Sequence, residues 1–242
     1  MSAKSARIAP PAAVDVFADA LADWLSSFTV PQELVGEMAS SCSAGAPWAA
    51  AIAGTSVRRV GWPEPEALAW GIAIGASAGA LEAARRSLGA KNGARTADGP
   101  ALPLLAADGL IAAAHEALAS LEPGRLVAGL EALGDTFGDG GPWKHIGPGW
   151  PRPAWPAVVA CGLAPAAAED PDGPWVDLSN AWRAAFAAPG DAIRGARDST
   201  VELDESLRNH PAADRDTNEL FALAANAARG GDSGEGDDGE RF

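Results

Sequence analysis

Apolar residues recur along most of this chain at intervals of three and four, the spacing that keeps them on one face of a helix. Val14, Phe17, Leu21, Trp24, Leu25 and Phe28 follow it, with Asp15, Asp19 and Asp23 on another side, and predict a helix over 12–28. Pro31 suits the first turn of a second helix over 32–40. SCSAGAP (41–47) reads as a turn, residues 48–52 as a short helix, and Arg58 and Arg59 as part of a connection ending at Gly61. Glu64 and Glu66, between and after Pro63 and Pro65, mark the start of a long helix over 66–88, because acids complement the positive end of a helix dipole. Gly71, Gly75, Ala76, Ala78 and Gly79 give it a small face that a neighbouring helix can approach closely.

KNGARTADGP (91–100) reads as a loop, and LPLLAADGLIAAAHEALASL (102–121) as another long helix, stopped by Pro123 and Gly124. A helix over 125–133 follows. The stretch 134–156 is so rich in Gly and Pro that no regular element is expected there. Helices are predicted again over 156–168 and from Pro174, where the apolar positions Val176, Leu178, Trp182, Ala185, Phe186 and Ala188 run into a break at Pro189–Gly190. Weaker helices fall at 200–209 and 217–229. No segment alternates apolar and polar residues as a half-buried strand does. The pattern predicts an all-α orthogonal bundle around one core over 12–229. Residues 1–11 form a flexible tail and 230–242 a disordered acidic tail in this reading.

Composition narrows the function classes. Of 242 residues, 32 are Asp or Glu and 18 are Lys or Arg, a net charge of −14 that repels nucleic acid and anionic membranes. Cys42 and Cys161 are the only cysteines. Neither has a Cys or His at zinc-ligand spacing, so two small buried thiols are expected. No targeting segment is legible, and no apolar window of transmembrane length lacks charges or breakers; the nearest, 67–81, reads as a close-packed core helix. The expected location is the cytoplasm.

Two stretches resemble the trans-isoprenyl diphosphate synthase (polyprenyl synthetase) family, with the bacterial geranylgeranyl and farnesyl diphosphate synthases as the nearest branch. One is the 102–121 helix, through Leu105, Ala106, Ala107, Asp108, Leu110, Ile111, His115, Glu116, Leu118 and Ala119. The other is the stretch from Pro174 to Asp198, through Pro174, Trp175, Asp177, Leu178 and Phe186. The likeness spans 63–198. It implies an isoprenoid-synthase-like helical bundle, shortened at its C-terminus, that assembles as a homo- or heterodimer. It also implies a chemistry in which magnesium, held by two aspartate-rich motifs on facing helices, ionises an allylic diphosphate.

The family's motifs are degenerate here. The first should lie near Ser77–Glu82, where the sequence is SAGALE and only Glu82 is acidic. The second should lie at Gly190–Arg194, where Asp191 is the one carboxylate left and the glutamine after Phe186 is Ala187. Arg85 and Arg86 stand where the resemblance expects diphosphate-binding arginines, Arg152 replaces a lysine, and Arg58 or Arg59 is the nearest counterpart of a basic N-terminal loop. One carboxylate cannot replace the several that bind a cluster of magnesium ions, so prenyl transfer by the family's mechanism is not expected, and neither is a cofactor.

Each of these residues also has a plain structural role to weigh. Asp191 suits a helix N-cap, and Arg85 and Arg86 suit charges at a helix C-terminus. Asp108 and Glu116, two turns apart beside His115, suit a solvated face. Trp143, Trp150 and Trp155 in the Pro-rich stretch read either as anchors to the core or as an interaction surface. The sequence therefore predicts a non-catalytic partner or regulatory subunit of an active prenyl synthase in isoprenoid biosynthesis, carotenoid or photosynthetic pigments included. The alternatives are a diverged prenyltransferase with weak magnesium-dependent activity, and a lipid- or isoprenoid-binding or structural interaction protein.

Overall fold

A computed structural model describes residues 10–43, 49–50, 53–54, 57–58, 60–90, 101–138 and 169, with side chains from Phe17 onward and excluding 89–90. Five helices follow in order: α1 (Pro10–Ser26), α2 (Gln32–Ser43), α3 (Glu64–Ala90), α4 (Ala101–Leu118) and α5 (Pro123–Phe137). Residues 49–50, 53–54 and 57–58 are also helical. Among the described residues there is no strand, as the missing period-two pattern predicts.

The centre of the bundle is α3. Every residue from Trp70 to Leu81 is buried, so this helix has no solvent face over three turns. It packs most extensively against α4 and then against α2, with α1 and α5 closing other sides. Such all-round burial is open to a helix built from Ala and Gly, whose narrow cylinder lets several neighbours sit close at once. A Cβ on Gly71 would lie 2.9 Å from the Ala50 carbonyl oxygen and would collide with the Phe17 ring. Phe17 opens the buried row of α1, with Leu21 and Leu25 one and two turns on. Trp24 and Phe28 flank that row edge to face, their ring centroids 4.9 Å apart.

Helix ends differ from the sequence reading in instructive ways. α1 begins at Pro10, two residues before the predicted start, because prolines are tolerated in a first turn where amide donors have no partner within the helix. α2 runs through Ser41, Cys42 and Ser43, which the small polar residues had made a turn; Ser41 and Ser43 satisfy their hydroxyls on the Glu37 and Ser40 carbonyls of the preceding turn. α3 runs on to Ala90, so Arg85 and Arg86 precede its last turn.

Pro123–Gly124 does more than stop α4. Glu122 caps α5, its carboxylate accepting the Gly124 N–H at 3.2 Å, and Pro123 occupies the first turn. α5 then continues to Phe137, so Gly134, Asp135, Thr136 and Phe137, expected to be irregular, are helical. Thr136 is buried and donates to the Ala132 carbonyl at 2.9 Å, which explains how a polar residue extends the helix inside the core.

By length and composition alone two helices, over 64–88 and 101–118, are long and apolar enough to cross a membrane, although both carry acidic residues and Gly or Pro. Alanine is the reason: it counts as apolar yet serves equally in a close-packed protein core. In the 64–88 helix 83% of the apolar window is buried inside the bundle.

Candidate functional site

The segment where the resemblance places the first carboxylate motif lies in the middle of α3. Its residues are packed shut. Ser77, Ala80 and Leu81 are fully buried and Ala78 nearly so. The Ser77 hydroxyl donates to the Ala73 carbonyl at 2.7 Å, within its own helix. A Cβ on Gly79 would stand 3.2 Å from Leu110 Cδ1 of α4 and would overlap Cys42 Sγ of α2. Even one extra carbon therefore has no room there, and a carboxylate with its hydration has less.

Cys42 is buried as expected and sits against that glycine, with its Sγ 4.0 Å from the Gly75 carbonyl oxygen. Burial pushes its thiol from 9.0 up to about 12, against a smaller opposing pull from the positive charge of Arg86.

Glu82, the remaining acid of this segment, faces the edge of the core and is spent on Arg85. The Arg85 Nε donates to Glu82 Oε2 at 2.8 Å and its Nη2 to Glu82 Oε1. Arg86 turns to α2 instead. Its Nη2 meets Glu37 Oε1 at 3.0 Å and also donates to the Ser41 hydroxyl, while Nη1 donates to the Ser40 hydroxyl at 3.1 Å. The Arg86 Nε is buried without a partner. Both arginines thus have a carboxylate in hand. They lock α3 to itself and to α2, a role distinct from the helix-end charges that the sequence suggested.

Asp108, His115 and Glu116 share the exposed side of α4. His115 Nδ1 lies 2.8 Å from the Ile111 carbonyl oxygen, a bond within its own helix. Among the described residues no group of three His, Cys, Asp or Glu side chains stands close enough to hold a metal ion. Arg58, the counterpart considered for a basic loop, donates from Nε to the Gly54 carbonyl at 3.2 Å, lies 3.7 Å from Glu64 and stacks over the Phe17 ring at 5.8 Å. Arg152, Asp191, Trp143, Trp150 and Trp155 lie outside the described residues, as do the predicted acidic tail over 230–242, the expected shortening at the C-terminus and residues 1–9 of the predicted N-terminal tail, whose last two residues, Pro10 and Pro11, belong to α1 instead.

One polar cluster was not visible in the sequence. Arg125, at the start of α5, lies 4.7 Å above the Trp62 ring. Its Nη1 donates to Glu66 Oε2 at 3.2 Å and its Nε to Glu169 Oε1 at 3.4 Å. Trp62 Nε1 donates to the same Glu169 oxygen at 2.6 Å, and the Glu122 N–H donates to Glu66 at 3.1 Å. The Glu122 N–H first, and Arg125 after it, hold the Glu66 carboxyl below the ordinary carboxylate range. The cluster ties the start of α3 to the α4–α5 turn and to residue 169. Its partners come from three separate stretches of chain, 62–66, 122–125 and residue 169, so no local spacing announces it.

A comparison of the sequence with protein-family models and with curated proteins found no match. Among solved structures, the chain is similar to a mint protein described as a deletion mutant of heterotetrameric geranyl pyrophosphate synthase in complex with ligands. The TM-score is 0.59 at 16% identity, over 88% of this chain and 98% of that one. At that identity the likeness concerns the fold. The chain has the all-α fold of an isoprenyl diphosphate synthase, with the first expected carboxylate position filled by buried small residues.

Proposed function

We propose that this chain is a non-catalytic, isoprenyl-diphosphate-synthase-like protein that works as a partner or regulatory subunit of an active prenyl synthase. The observation that carries the proposal is the closed α2–α3–α4 seam at Gly79, where Cys42 and Leu110 leave no room for a side chain in the segment that the resemblance expects to carry carboxylates. The fold supports the same reading, since the solved structure it resembles is a heterotetrameric synthase, an enzyme built from more than one chain. On this reading the ancestral scaffold is kept for assembly, and the segment freed from catalysis is used to pack the core. No step of the reading runs through magnesium.

The test is co-expression with the prenyl diphosphate synthase of the same cell. The expected result is a stable complex in which the product chain length or the rate of that synthase differs from its value alone. A synthase that neither binds this chain nor changes its products in its presence would remove the subunit reading. The diverged-enzyme reading keeps one point in its favour, Asp191 at the expected second motif, and predicts turnover by the chain alone.

A further inference from the structure

α5 is lightly held. It packs against α3 and α4 far less extensively than α2 does. Two glycines, Gly129 and Gly134, lie inside it, and glycine weakens a helix interior. At Gly129 the missing side chain makes room for contact: a Cβ there would stand 2.9 Å from Trp70 Cζ3 and 2.9 Å from Leu118 Cδ2. The α5 backbone therefore closes directly over Trp70 and Leu118, which are fully buried. At Gly134 a Cβ would meet nothing within 4 Å among the described residues. That glycine weakens α5 without serving such a contact. Val127 and Leu130 are exposed, so α5 is not pressed down from outside.

What fastens α5 is polar and sits in its first turn. Arg125 reaches Glu66 of α3 through Nη1 and Glu169 through Nε, and its guanidinium lies over the Trp62 ring. Trp62 donates to the same Glu169 oxygen. Its ring centroid is 6.2 Å from that of Trp70. Guanidinium, Trp62 and Trp70 thus run in one row from the surface to the side chain that α5 covers.

We propose that α5 is a strap over Trp70, fastened at its first turn by the Arg125–Glu66–Glu169–Trp62 clip, which opens as a unit while α3 and α4 stay folded. Elements with few buried apolar contacts are the ones that open below the global unfolding transition. Opening breaks the clip and uncovers Trp70 and Leu118. It leaves the Gly79 seam closed, since the side chains nearest Gly79 belong to α2 and α4. The proposal concerns the chain alone and does not depend on the subunit reading.

The experiment is backbone hydrogen exchange of the full chain, read over 123–137 and over 64–90, for the wild type, Arg125→Gln, Glu169→Gln and Gly134→Ala. In the wild type, 123–137 is expected to exchange faster than 70–81. Arg125→Gln and Glu169→Gln are each expected to speed exchange over 123–137 by about fivefold, with 70–81 unchanged. Gly134→Ala adds helix propensity in open space and is expected to slow exchange over 123–137 by a similar factor, about fivefold. Equal exchange of the two segments in the wild type overturns the strap, because α5 then opens only with the whole bundle. Clip variants that speed both segments alike overturn it too, since the clip then supports global stability alone. Clip variants that leave 123–137 at its wild-type rate show that the clip does not fasten α5. The subunit reading survives each of these three results.

Discussion

At the scale of single residues, Gly79 and Cys42 form one of the closest joints among the described residues. Gly79→Ala places a methyl group where Cys42 Sγ lies, with Leu110 Cδ1 behind it. Overpacking of this kind costs about 1–3 kcal/mol, and denaturant unfolding measures it. Cys42→Ala removes the colliding sulfur, so the double variant is expected to recover part of the loss, giving a coupling energy that two independent effects would not produce. The buried thiol adds a pH signature. Its folded-state value of about 12 lies above the unfolded value of 9.0, so its stabilising contribution is complete below pH 9 and is lost as the pH rises toward 12. Iodoacetamide at pH 8 is accordingly expected to label Cys42 only as fast as the chain opens; rapid labelling of the native protein contradicts the packing described.

Glu66 gives the opposite sign on the acid side. Its folded-state value is depressed, so the support it lends to the Arg125 cluster is present above the ordinary carboxylate value of 4.5 and fades as the pH falls below it. Stability curves for the wild type and Glu66→Gln are expected to diverge above that pH and converge in acid.

At the scale of elements, the central helix carries the argument. Ser77 is fully buried and bonded within α3, so Ser77→Asp sets a charge in the core without a partner. The expected cost is about 3 kcal/mol or more, or a carboxyl that stays protonated, with no gain of magnesium-dependent turnover. A stable Ser77→Asp variant that binds magnesium would show that the α3 seam opens more readily than its packing implies.

Much of this was legible beforehand for a physical reason. Three-and-four periodicity and the Gly/Ala face of α3 are local properties, and local properties survive in sequence. The buried row Phe17, Leu21 and Leu25 falls where its spacing placed it. The ends were less legible. Ser41–Ser43 and Gly134–Phe137 have poor helix propensity, and contacts with distant chain hold them helical. The Arg86–Glu37 pair and the Trp62–Arg125–Glu169 cluster were invisible because their members meet only after folding. Arg85 and Arg86, which a family pattern would make diphosphate ligands, are paired with carboxylates in the structure.

At the scale of the whole molecule, two features combine. The fold is the all-α fold of an isoprenyl diphosphate synthase, and Ser77, Ala80 and Leu81 of the α3 segment where the resemblance expects carboxylates are buried in the core. Under the function proposed above, the scaffold serves to join a partner and α3 supplies no part of a magnesium site.

The central claim is tested most directly by incubating the purified chain with allylic and homoallylic diphosphates and magnesium, alone and together with the prenyl synthase of the same cell. The account predicts no product above the blank from the chain alone, and an altered product length or rate when both are present. Magnesium-dependent product from the chain alone, lost in Asp191→Ala, would contradict it.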